Sequence, residues 1–147
     1  MGLQADARYA VVDFLTDYAA DGLVTPNSKM QVYPGRPASL NPPAGFVDSI
    51  ASAIVYSGPT LLQQTVTVEA IVLHGLFDSK DAADQKDAFV DGLIEWQRTR
   101  VHEAGANTTI GLVGTEDIPN YVPDWMPPER QRTYYATRLE FEVYAGG

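Results

Sequence analysis

One stretch, Gln64 to Arg100, limits the folds open to this chain more than any other. Its first part, Gln64 to His74, alternates: Val66, Val68, Ala70 and Val72 point one way, Thr65, Thr67, Glu69 and Ile71 the other. That period of two, with β-branched residues, is the pattern of a strand. Its second part, Asp78 to Val101, has helical spacing. Phe89, Val90, Leu93, Ile94, Gln97 and Val101 fall on one side, with Asp84, Asp87, Asp91 and Glu95 towards the other. Gly75 to Asp78 is the turn between them, and Asp78 and Ser79 are the expected N-caps. A helix with one apolar stripe must bury it, and a neighbouring sheet is the natural cover.

The flanking segments extend this layer. Ala5 to Ala20 reads as a helix, with Ala7, Ala10, Val11, Phe14, Leu15 and Tyr18 recurring at three- and four-residue steps and Asp21-Gly22 as its stop. Leu23 to Pro43 reads as a loop; within it Met30 to Tyr33 could open a short strand, and Pro34 to Pro43 holds four prolines. Proline fixes φ and removes a donor, so that run is a stiff connection. Ala44 to Tyr56 fits both a four-residue and a two-residue period, and its Ile54-Val55-Tyr56 tail followed by Ser57-Gly58-Pro59 favours a strand. Glu103 to Asn107 closes the long helix with Gly105 as stop, and Thr108 to Thr115 reads as a glycine-interrupted strand. Glu116 to Arg132 reads as a second proline-rich loop, and Thr133 to Tyr144 as an antiparallel strand. In that last strand Tyr135, Thr137, Leu139, Phe141 and Val143 share the drier face, and Tyr134, Ala136, Arg138, Glu140 and Glu142 the wetter one. The expected fold is α+β: one domain over residues 1–147, a mostly antiparallel sheet of about four strands, and two helices packed on one face.

Composition narrows function by exclusion. The formal charge is −9 and no Lys/Arg cluster occurs, so a direct grip on nucleic acid is not expected. Acidity serves solubility in the ordinary case; the sharper reading is a wall that repels passing DNA phosphates. There is no cysteine, hence no disulfide or thiolate chemistry. No apolar run approaches the roughly 18 residues of a membrane span, and the acidic, polar start of the chain is not that of a signal peptide.

No motif for catalysis emerges. His74 and His102 lack companion ligands at workable spacing, no GxSxG or phosphate loop occurs, and Asp81, Asp84, Asp87, Asp91 and Glu95 repeat as a solvated helix face does. No cofactor or metal is expected, and a non-enzymatic role is. Aromatic residues are numerous, with eight tyrosines and two tryptophans. Tyr and Trp favour interfaces. Tyr33, Arg36, Leu40, Phe46, Tyr121, Trp125, Met126 and Arg130, in or near the two stiff loops, are therefore the candidate interface residues.

Three runs carry a family resemblance: PGRPASLNPPAGFVDSI, DSKDAADQKDAFVDGLIEWQRTR and IPNYVPDWMPPERQRTYYATRLEFEVYAG. Together, and in the order of their elements, they resemble small neck and tail-completion proteins of long-tailed phages infecting actinobacteria, and tail terminators in particular. The resemblance rests on texture and element order across nearly the whole chain, not on a catalytic motif. It implies a structural virion protein at the top of the tail, assembled in the host cytoplasm. It would form a homo-hexameric ring that caps the tail tube, ends its polymerisation and presents a joining surface to the head-side connector. Its partners would be the major tail tube protein below and the connector or stopper above, with DNA passing through the bore. Asp84, Asp87, Asp91 and Glu95 would then face either that bore or solvent. The alternatives are another neck component, such as a stopper or connector, and a small ligand-binding or enzymatic α+β domain.

Overall fold

The alternating valines of Val66 to Val72 become the spine of a mixed sheet that carries two helices on one face. In the computed structural model the described residues are 3–20, 30–56, 62–78, 80–98, 103–105 and 108–145. The elements run α1 (Leu3–Ala20), β1 (Gln31–Tyr33), β2 (Ala44–Tyr56), β3 (Leu62–Leu76), α2 (Ala82–Arg98), β4 (Glu103–Gly105), β5 (Thr108–Tyr121) and β6 (Tyr134–Ala145), with a short 3-10 turn at Pro128–Arg130. The sheet order is β1-β2-β3-β6-β5-β4. The four long strands are antiparallel to one another. Two three-residue strands lengthen the sheet to six: β1 lies parallel to β2, and β4 antiparallel to β5.

The helix-side core follows from the two periodicities. Ala7, Val11, Phe14, Leu15 and Tyr18 of α1 meet Val66, Val68, Ala70 and Val72 of β3 and Leu139, Phe141 and Val143 of β6. Phe14 stands edge-on to both Trp96 and Phe141, with centroids 5.2 Å apart in each case. Such pairs add about 0.5–1.5 kcal/mol beyond their burial. The Tyr18 hydroxyl donates 2.8 Å to the Phe89 carbonyl, tying α1 to α2 and satisfying a phenol that would otherwise be stranded in the core.

Several expectations are corrected here. Helix α2 starts at Ala82 rather than Asp78: the Asp81 carbonyl accepts the Gln85 N–H at 2.9 Å, so Asp81 holds the N-cap position. Ser79, Val101 and His102 lie outside the described residues, as do Leu23 to Lys29. The buried stripe of α2 is Ala82, Phe89, Leu93 and Trp96, and Ile94, expected inward, is exposed. Glu103–Gly105 is a strand rather than the end of the helix. The loop expected from Glu116 begins only at Val122, because β5 continues to Tyr121. Pro119 fits within it because the register jumps between Ile118 and Tyr121 and the strand lies outside β6; a bulge on an outer strand is where a missing donor does least harm.

Candidate interaction surface

Face two of the sheet, away from the helices, is divided. At one end it holds a second, smaller core of Phe46, Ile71, Leu73, Tyr134 and Ala136, with Tyr33, Leu40, Ile118, Tyr121 and Trp125 packed on it. Tyr134 and Ala136, expected on the wetter side of β6, are buried by this cover. The two proline-rich loops make the cover together. Trp125 Nε1 donates to the Pro37 carbonyl at 3.1 Å. Its ring stands edge-on to Phe46 at 5.1 Å, and the Arg36 guanidinium lies 5.0 Å above it. Arg36 also pairs with Asp48 at 3.1 Å, which fixes the cation over the ring. Burial, with the Asp48 carboxylate assisting, pushes the Tyr121 phenol up to about 12.

The candidate interface residues thus come together, but not as free arms. Phe46 and Met126 are buried within their own chain, so a neighbour could reach them only by displacing Trp125 or the 123–131 turn. Tyr33, Leu40, Tyr121 and Trp125 are half-buried in the second core, while Arg36 and Arg130 remain exposed. The result is one braced ridge. At the same end of the sheet Leu76, Phe77 and Val122 are 46%, 55% and 42% exposed, an apolar fringe that sequence patterning did not single out.

At the other end this face is open and acidic. Glu69 of β3 stands directly opposite Glu140 of β6, and Glu116 of β5 opposite Arg138. Arg138 Nη1 bonds Glu116 at 3.2 Å, and its Nε lies 3.8 Å from Glu69. Glu142, farther along β6, accepts a hydrogen bond from the Tyr144 hydroxyl, while Glu140 joins Glu69, Glu116 and Arg138 around one cleft. The cleft between them is about 160 Å³, below the size of ordinary ligand pockets. The signal for this strip was present in the β6 alternation, but its partners lie on two other strands.

The acids of α2 behave differently. Asp84, Asp87, Asp91 and Glu95 are all exposed. Asp87 contacts Lys86, which also reaches Asp117 of β5 at 2.9 Å, and Glu95 pairs loosely with Arg98 at 3.5 Å. Hydrogen bonds to both carboxylates hold the Lys86 ammonium firmly protonated. His74 is buried at the helix side, its Nε2 2.9 Å from Thr137 Oγ1 and its ring 5.3 Å from Phe89. Burial, reinforced by the Lys86 charge, lowers it to about 4. No cluster among the described residues could hold a metal ion. No helix is long and apolar enough to cross a membrane among the described residues. No protein-family model matches the chain, and no curated protein matches it.

Proposed function

We propose that this chain is a structural virion protein that caps a phage tail tube as a ring, ends tube growth and joins the tail to the head-side connector. The observation that carries this reading is the acidic strip on the open sheet face. Like charges set directly across two strands, as Glu69 and Glu140 are, cost a sheet stability. Such a cost is expected where the surface has work to do, and a wall that DNA must slide past without adhering is such work. The braced loop ridge supports the reading in a second way. A surface already fixed by proline and by the Trp125 contacts loses little entropy when it docks on a tube or connector subunit.

The test is a deletion followed by electron microscopy of the phage. A terminator's loss leaves overlong or unjoined tails. Tails of normal length refute the reading, and full heads that leak DNA assign the chain to a stopper instead. Mass photometry of the protein with tail tube protein should show six-fold rings.

A further inference from the structure

The sheet ends in two long strand margins, and they are treated differently. Beyond Thr109, the outer margin of β5 is interrupted by two register shifts and by Pro119. Its Leu112 N–H is taken up by Gln97 Oε1 at 2.7 Å, and Asp117 is engaged by Lys86. β2 has one register shift, between Val47 and Ser49, and from Ser49 onward its margin has none of these guards. β1 covers only Ala44 to Phe46, and beyond them no strand or side chain bonds its backbone among the described residues. From Ser49 to Val68 the sequence has no charged side chain, in a chain that is 20% charged. Natural edges are usually blunted by charge, proline or bulges.

We propose that the β2 margin pairs antiparallel with the β2 margin of a second copy, about a two-fold axis at Ser52. The occupant follows from charge and register. Two chains of −9 repel each other, and they approach most easily along a strand with no charge of its own from Ser49 onward, where the bordering Arg8 and Asp48 are of opposite sign. Ile50 and Ser52 share the helix face with Ile54, paired with Val68, Val66 and Gln64 of β3. A two-fold pairing keeps faces matched, and centring it on Ser52 sets Ile54 of one copy against Ile50 of the other. Ile54 is 53% exposed as the chain stands. Ile50 borders an open groove of about 590 Å³ lined also by Gln4, Ala5, Arg8, Asp48 and Ser49. The pairing lays each Ile54 into the other copy's groove and sets small Ala51 against small Ala53 on the opposite face. It does not rest on the tail-cap reading.

The chain has no cysteine, so single thiols report the register directly. With oxidised glutathione, Ser52→Cys should link to itself as a dimer of twice the 16.0 kDa chain mass, since directly opposed residues lie about 4.5–5.5 Å apart. Ala51→Cys should link to Ala53→Cys far faster than to itself. Ala53→Lys should raise the dimer dissociation constant by about a hundredfold or more, with an unchanged melting temperature once both proteins are dilute enough to be monomeric. The proposal is overturned if the unaltered protein is monomeric throughout a dilution series, or if Ala53→Lys leaves association intact. It is equally overturned if Thr115→Lys on β5 abolishes association, because the margins would then join β2 to β5. A ring built through another contact would survive Ala53→Lys and leave Cys-substituted position 52 unlinked, which refutes the pairing and leaves the ring standing.

Discussion

Both faces of the sheet are closed by aromatic side chains, but the helix-side core and the loop-side core are built by different means. On the helix side, residues at regular steps of three, four and two converge, and Phe14, Trp96, Tyr18, Phe89 and Phe141 interlock at centroid distances of 5.2–5.4 Å. On the loop side, a single Trp125 gathers Phe46, Tyr121, Arg36 and Pro37 from segments far apart in the chain. The first distributes its stability over many contacts. The second concentrates it in one side chain, so it should open locally without the fold being lost.

That contrast can be broken most directly at Phe141. Phe141→Ala should cost about 3–5 kcal/mol in urea or thermal denaturation, because the residue is fully buried against α1. If it costs less than Trp125→Ala, the helix-side core is not the dominant one.

The next effect is acid sensitivity, also confined to the helix side. The folded chain keeps His74 neutral down to about pH 4, whereas the unfolded chain protonates near 6.5. Below 6.5 the unfolded state therefore binds more protons. The stability from this neutral histidine is whole above pH 6.5 and is lost as pH falls towards 4, by an amount of order 3 kcal/mol. His74→Gln should flatten the pH profile of unfolding over that window; identical slopes for the two proteins would refute the assignment.

Trp125→Ala should cost about 2 kcal/mol, less than a fully buried tryptophan, since its ring is half-exposed. Hydrogen exchange should quicken in residues 34–43 and 122–133 while α1 and β3 keep their protection. Uniform quickening would show that the two cores are one cooperative unit. The smallest effect has the opposite sign. Glu140→Gln removes the repulsion across from Glu69 and should stabilise by about 0.2–1 kcal/mol, more at low salt than at high. A loss of stability would mean that Glu140 supports Arg138 more than it opposes Glu69.

The same contrast decides what the sequence can disclose. The buried positions of α1, β3 and the middle of β6 are readable, because each repeats a local period against one continuous core. The stripe of α2 is legible at Phe89 and Leu93 but not at its ends: Trp96 lies between Glu95 and Gln97, which pulls a reader towards Ile94, while the inward line Ala82, Phe89, Leu93, Trp96 starts from the cap at Asp81. The last third of β5 is hidden by Pro119, whose cost is removed by a bulge that no local pattern announces. The loop-side core has no period at all. Its loops are recognisable as stiff, but that they fasten to one another depends on the Trp125 to Pro37 bond, which spans most of the chain. The glutamate strip is half-visible for the same reason: Glu140 and Glu142 alternate in plain sight, whereas Glu69 and Glu116 join them only through strand order.

The capping of Leu112 by Gln97, together with Pro119, has a consequence for how copies of this chain can add to one another. A sheet with two open margins has a valence of two and can extend without limit into a fibril. Closing one margin from within the chain lowers the valence to one. A particle of that kind saturates after a single union, and at high local concentration it would favour a closed pair over a growing polymer.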